Sequence, residues 1–426
     1  MAYPLSARTS ASARALAEEY RRVRAATEAL CLPLAIEDYV VQSMPEASPT
    51  KWHLAHTSWF FEEFVLDAYI PRYRFHDLRY RQLFNSYYRS IGHLHRRAER
   101  GLLTRPTVAE TYRYRRHVDE HVAALLGVQG DDPTLAARVT LGMHHEQQHQ
   151  ELILTDVKHA LACNPLRPVY RQLPPRASAE PQPLVFRSCR GGLREFGHGG
   201  DDFCFDNELP VHRAFVPPYR LASRPATNAE YREFVRDGGY EQPALWLADG
   251  WDTVQREGWQ HPLYWSASLD QEFTLSGVVE LGAHAPVCHL SYYEADAFAR
   301  WAGARLPAEL EWELAAGERE TTGNFLESGL LQPAAASSSH GATPELVQLF
   351  GDVWEWTSSP YGPYPGYRVP AGALGEYNGK FMVNQIVLRG GSCATPRAHI
   401  RATYRNFFSP AARWQFAGVR LAQDTR

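Results

Sequence analysis

The chain has few cysteines and no paired ones: the six at 31, 163, 189, 204, 288 and 393 are scattered through 426 residues without a CxxC. That spacing excludes a zinc knuckle and the disulfide framework of a small secreted domain, and reduced thiols are expected. Charge of one sign is also lacking. The net charge is only −4 and there is no long basic run, which argues against a nucleic-acid partner. No apolar run reaches membrane-spanning length, so no membrane partner is expected. The N-terminus is rich in Arg and Ser like a transit peptide, but it lacks an apolar core and passes directly into a helical pattern at Glu18 and Glu19. A cytoplasmic protein is the expectation. Internal repeats are absent, and the one biased stretch is the Ala/Ser patch at 333–339, read as a loop. Nothing here decides for or against a homo-oligomer.

At 426 residues the chain exceeds one ordinary core, and two or more domains are expected. Aromatics make up 12%, with 11 Trp, which favours a Trp-rich core or an aromatic-lined pocket. Helical periodicity covers about 10–30, a stretch opening at Ser48 and Pro49, 106–126 and 133–163. Between the second and third of these lies HDLRYRQLFNSYYRSIGHLHRRAERGLLTRP, too irregular for one helix and read as an elaborated loop. Four helices with a long crossover predict a bundle over 1–163, whose interior is a usual place for metal ligands. Proline density rises over 164–183, which reads as a linker. From 184 to 426 short β-type runs alternate with Gly, Pro and Asp turns, and helices are visible only at places such as 228–236 and 292–302.

The chemistry concentrates in MHHEQQHQELILTD, which begins at Met143. On a helix His145 and His149 are four apart and project from one face, as paired metal-binding imidazoles must. Glu151 completes HxxxHxE and can hold a ligand tautomer through its carboxylate, against the plainer reading of a solvated helix charge. A third ligand is needed. KWHLAHTSWFFEEF offers His53 and His56 on a second amphipathic helix. The basic cluster HLHRRAER suits a local anionic group, with Arg97 and Arg100 three apart.

The second half carries FDNELP, TNAEYREF, PVCHLSYYEADAFARWAGARLPAELEWELAA, GDVWEWT, LRGGS and FAGVRLA in order. Together these resemble the formylglycine-generating-enzyme (sulfatase-modifying-factor) fold, a C-type-lectin-like α+β domain, over roughly 184–423. The first half, with LAH and HxxxHxE, resembles the DinB-like four-helix bundle. The pair in this order resembles the EgtB-type sulfoxide synthases of ergothioneine biosynthesis. That resemblance implies Fe(II) held by His56, His145 and His149, leaving His53 a bystander. It implies Gln148 bonding the imidazole of trimethylhistidine, and a catalytic phenol from the pair Tyr87 and Tyr88. It also implies a C-terminal RN segment that closes the pocket, where Asn406, Phe407 and Phe408 contact substrate. O2 and a thiol are the other partners. Enzymes of this type that use γ-glutamylcysteine have an Asp where this chain has Phe408, so free cysteine is the expected donor, with Arg97 and Arg100 as its carboxylate clamp.

Two other readings compete. Formylglycine generation needs two copper-binding cysteines after RGGS, and the corresponding positions are Thr395 and Ile400, with Cys393 off the pattern; that activity is discounted. A DinB-like metal-dependent thiol transferase or metal-stabilised binding module, with zinc on the same three histidines, fits the ligand set equally.

Overall fold

A computed structural model describes residues 10–174, 182–336 and 346–425, so the start of the N-terminal stretch, the middle of the proline-rich segment and the end of the Ala/Ser patch lie outside the described residues. The chain divides into two compact units, Met1–Cys163 and Asn164–Arg426.

In the first unit the described residues form four principal helices, α1 (Ala11–Cys31), α2 (Thr50–Phe61), α3 (Val108–Gln129) and α4 (Pro133–Cys163). Their starts follow from capping chemistry. Ser10 accepts from the Ala13 N–H ahead of α1, and Thr107 forms a reciprocal capping box with Glu110 ahead of α3. Pro133 opens α4, where its missing N–H costs nothing. Pro49 stands at the cap of α2 rather than inside its first turn, and its carbonyl accepts from Trp52.

Every residue of α2 is buried, and its polar groups mostly find partners inside the protein, Trp59 Nε1 being an exception among the described residues. Ser58 Oγ donates to the Leu54 carbonyl at 2.9 Å, and Trp52 Nε1 donates to the Leu83 carbonyl at 3.1 Å. The helix runs on through a buried π-turn, Glu62–Leu66. There the Glu62 carboxylate receives Tyr114 Oη at 2.5 Å and Tyr73 Oη at 3.0 Å. The segment before α3 is the irregular loop expected, built around the short helical turns Tyr80–Leu83 and Arg97–Leu102.

One buried ionic knot ties α1, α3 and α4 together. Glu146 of α4 receives Arg24 at 2.8 Å, Arg115 at 2.6 Å and Thr27 Oγ1 at 2.6 Å. Burial alone would raise its pKa, but the guanidiniums of Arg115 and Arg24 outweigh that and hold it at about 2.

The second unit is α+β with short elements. Its strands are β1 (Phe186–Cys189), β2 (Gly192–Phe196), β3 (His212–Val216), β4 (Tyr219–Ala222), β5 (Gln271–Thr274), β6 (Gly277–Glu280), β7 (Trp354–Pro360), β8 (Ile386–Arg389), β9 (Asn406–Phe408), β10 (Ala417–Gly418) and β11 (Ala422–Asp424). They pair in the orders β1-β4-β11, β10-β7-β8-β9, β2-β3 and β5-β6. Helix α5 (Asn228–Arg236) has the expected limits and is capped by Thr227 and Glu230 of the TNAEYREF motif. Helices α6 (Ala248–Glu257) and α8 (Glu309–Ala316) were not read from sequence, unlike α7 (Tyr292–Trp301). The first part of the proline-rich segment is no free tether: the Tyr170 N–H donates to the Leu275 carbonyl, and the Leu173 N–H to Ser276 Oγ, at the β5–β6 turn. Around β7, Glu355 receives Arg420 at 2.9 Å and Trp312 Nε1 at 2.7 Å. None of the six cysteines forms a disulfide among the described residues, and no helix among them is long and apolar enough to cross a membrane.

The knot generates a prediction. Glu146→Gln removes the fully buried carboxylate that Arg24 and Arg115 share, leaving each guanidinium only its more exposed partner, Asp119 and Glu28, and should cost about 3 kcal/mol. The measurement is denaturant unfolding of the full chain followed by helical circular dichroism; a loss under about 1 kcal/mol would mean that the knot is energetically idle.

Candidate metal centre

His56 of α2 and His145 and His149 of α4 are buried together, each with one ring nitrogen within 4.8 Å of one nitrogen of the other two. Helix α4 can press against α2 because Gly142 stands one turn ahead of the histidines; a Cβ there would meet the Phe61 ring at 2.5 Å. His56 is the most tightly fixed. Its ring is sandwiched between Trp52, at 4.5 Å and 12°, and Trp59, at 5.5 Å and 15°. Its Nδ1 lies 2.5 Å from the Phe84 carbonyl. A carbonyl only accepts, so the proton sits on Nδ1 and Nε2 is left as the ligand atom, 3.2 Å from His145 Nε2. His145 packs on Phe60 at 4.7 Å.

Burial is the main cause that disfavours the charged form of all three rings. It holds His145 at about 4, and with His145 as neighbour it holds His56 and His149 well below the ordinary value. Three neutral imidazoles therefore converge at neutral pH, which is the donor set a divalent metal requires, with no carboxylate among them.

His53, expected to be a bystander, lies outside that cluster of three but against it. Its Nδ1 lies 2.8 Å from His149 Nδ1 and its Nε2 lies 3.1 Å from Asp156 Oδ2. Asp156 thus reaches His149 by way of His53, while Glu151 is half-buried two residues after His149 on α4. A signal existed in the sequence. Asp156 follows His149 by seven residues, two helical turns on the same face.

Gln148 is half-buried immediately before His149. Tyr87 and Tyr88 lie in a turn closed by Asn85, whose Oδ1 accepts from the Tyr88 N–H at 3.0 Å and whose side-chain amide donates to the Tyr88 carbonyl at 2.8 Å. Tyr88 is fully buried, 4.9 Å from Phe64 and 5.6 Å from Trp59, whereas Tyr87 is half-buried. Arg97 and Arg100 share one side of a 3₁₀ turn, because side chains three apart eclipse there. Arg97 is exposed. Arg100 is buried, lies 3.3 Å over the Trp52 ring and donates to Ser48 Oγ at 2.8 Å. Its Nε has no hydrogen-bond partner among the described residues. Burial and then the like charge of Arg97 disfavour its charged state, a cost that a bound anion would relieve.

In the second unit Asn406, Phe407 and Phe408 form β9, paired with β8. Successive side chains on a strand point to opposite faces, so Phe407 faces away from Asn406 and Phe408. Phe407 stacks on Tyr361 at 4.0 Å and 10°, while Phe408 meets Trp414 edge-on at 5.8 Å. Arg405 is an internal strut, bound to both oxygens of Glu309 and to the Asn207 carbonyl. After β8 the backbone turns through Gly390 and Gly391 at positive φ, a region glycine tolerates without strain. Beyond it Thr395 and Ile400 are buried, carrying a hydroxyl and an alkyl chain where copper would need a thiolate pair.

A helical bundle with a buried cluster of three neutral histidines, followed by a short-stranded α+β unit, defines an EgtB-type two-unit protein. The model of the sulfatase-modifying factor enzyme 1-like domain matches residues 173–343 and 332–425. Relatives named hercynine oxygenase are 34% identical in Mycolicibacterium thermoresistibile, over 89% of this chain and 88% of that one. In Mycolicibacterium smegmatis the identity is 35%, over 69% and 73%. In Mycobacterium tuberculosis it is 40%, over 53% of this chain and 57% of the relative, so that match spans little more than half of the relative. The chain belongs to the hercynine oxygenase family.

Alanine at His56, His145 or His149 should abolish stoichiometric metal binding while the circular dichroism of the full chain stays helical. Metal analysis after anaerobic reconstitution checks this. A His56→Ala protein that retains a full equivalent of metal would remove it from the ligand set.

Proposed function

We propose that the chain is an Fe(II)-dependent sulfoxide synthase of ergothioneine biosynthesis. It would join the sulfur of cysteine to an imidazole carbon of trimethylhistidine (hercynine) and give hercynylcysteine sulfoxide. The observation that carries the reading is the buried cluster His56, His145 and His149 in a chain related along most of its length to hercynine oxygenases. In the balanced reaction the thiol S–H and the ring C–H are lost, a C–S bond forms, and O2 divides between the sulfoxide oxygen and water. Bound Fe(II) would activate O2 and hold both organic substrates at its open positions.

The remaining tasks fall to the chain's own residues. Arg100 is a buried cation held by Ser48 Oγ and the Trp52 face, which supports it, with Arg97 beside it, as the clamp for the cysteine carboxylate. Gln148 is the proposed hydrogen-bond partner of the substrate imidazole. Asn406 and Phe408, on one face of β9, are proposed to bind the trimethylammonium-bearing amino acid, with Phe407 supporting the strand from the other face through Tyr361. For the phenol, the half-buried Tyr87 is preferred to Tyr88, whose ring is spent on packing against Phe64 and Trp59. Tyr87 Oη would hold or deliver a proton as the sulfur is oxidised.

Tyr87→Phe should retain substrate affinity and lose C–S coupling by about 100-fold or more, with Tyr88→Phe far milder. Normal coupling in Tyr87→Phe would move the proton source elsewhere. O2 uptake with cysteine and trimethylhistidine after loading with iron or with zinc separates this reading from a zinc-dependent thiol transferase.

The thiol is tested by competition. Phe408 offers no partner for the α-ammonium of a γ-glutamyl extension, and burying that charge unpaired is unfavourable. Cysteine should therefore win over γ-glutamylcysteine at equal concentration. A clear preference for the dipeptide would refute this role of Phe408, and loss of cysteine use in Arg100→Ala would identify the clamp.

A further inference from the structure

Two acceptors at the metal centre decide where protons sit, and one of them acts at a distance. Asp156 Oδ2 receives the Ser48 backbone N–H at 2.8 Å, so this oxygen is an acceptor. Facing it at 3.1 Å, His53 Nε2 must carry the hydrogen. A neutral imidazole with its proton on Nε2 has a lone pair on Nδ1. That lone pair faces His149 Nδ1 at 2.8 Å, and two nitrogens at that distance need one proton between them. It can come only from His149 Nδ1, which leaves the lone pair of His149 on Nε2. The carboxylate of Asp156 thereby sets the tautomer of His149 through an intervening imidazole, as the Phe84 carbonyl does directly for His56.

We infer that His53 and Asp156 are positioning residues for the metal. They present His149 to it in one tautomer and one orientation, and the negative charge of Asp156 relayed through His53 makes His149 a stronger donor. The inference rests on the proposed reading of His149 as a ligand. The geometry also explains why His53 lies one turn before His56 on α2. That turn brings it against His149 and Asp156, which are seven apart on one face of α4. Ser48 joins the same chain from its other side, since its Oγ receives Arg100 while its N–H is held by Asp156.

The test is titration of the metal-free full-length protein with Co(II) under nitrogen, read as dissociation constant and as the visible ligand-field band. His149→Ala is the reference: if it binds Co(II) as the wild type does, the ligand assignment itself fails. With that control lost as expected, His53→Leu and Asp156→Ala should each bind about 10–100-fold more weakly with an altered band. His53→Asn places an amide oxygen near the former Nδ1 and should recover much of the loss. A merely structural role would lower the melting temperature and leave the affinity of the folded fraction unchanged. Affinities for His53→Leu and Asp156→Ala within about twofold of wild type would overturn the inference. So would a folded His53→Asn protein that binds as poorly as His53→Leu.

Discussion

Glu146 is a carboxylate without solvent, placed one residue after a candidate ligand and between two guanidiniums from different helices. Such a group is unfavourable to bury unless its partners are held in place, and here the partners are held by the helices that carry or pack against the three-histidine cluster. Arg24 comes from α1 and also engages Asp119 of α3; Arg115 comes from α3 and also engages Glu28 of α1. The register of α4 against its neighbours is therefore tied to the charges, and His145 inherits that register. A purely apolar face would tolerate sliding by a turn at much lower cost.

On the other side of α4 the problem is reversed. The imidazoles of the centre are buried and must stay neutral to ligate, so what surrounds them is largely aromatic: Trp52, Trp59 and Phe60. The high tryptophan content of the chain is used here. Flat rings restrict His56 to one plane, and the carbonyl of Phe84 then decides its tautomer. Arg100, a buried cation beside this nonpolar wall, is stabilised by the face of Trp52 and one serine hydroxyl.

The second unit solves a different problem, that of fixing short strands with little regular hydrogen bonding. Its motifs are mostly internal struts. Arg405 is bound to Glu309, Arg389 to Glu309 and Glu313, Arg420 to Glu355, and Arg401 to Glu208. An arginine among paired glutamates can cross-link several loops at once because its fork has five donors. The position of β9 follows from these struts, since Arg405 immediately precedes it.

Local information determined a good deal. The limits of α1, α4 and α5 are written in Ser10, Pro133 and the Thr227–Glu230 box, because capping depends on residues within a few positions. The i,i+4 spacing places His145 and His149 on one face for the same reason, and the ordered motifs name the family. Tertiary structure alone decided the rest. Whether His53 is idle or engaged depends on which atoms of α4 face α2, and the helix–helix contact supplies them. Arg100 and Arg97 are alike in sequence, yet packing under Trp52 buries one and leaves the other exposed. The division of Asn406, Phe407 and Phe408 between two faces required knowing that they form a strand, which only pairing with β8 establishes. A side chain's chemistry is fixed by its identity, but its protonation, exposure and partners are fixed by groups distant in sequence that the fold brings to it.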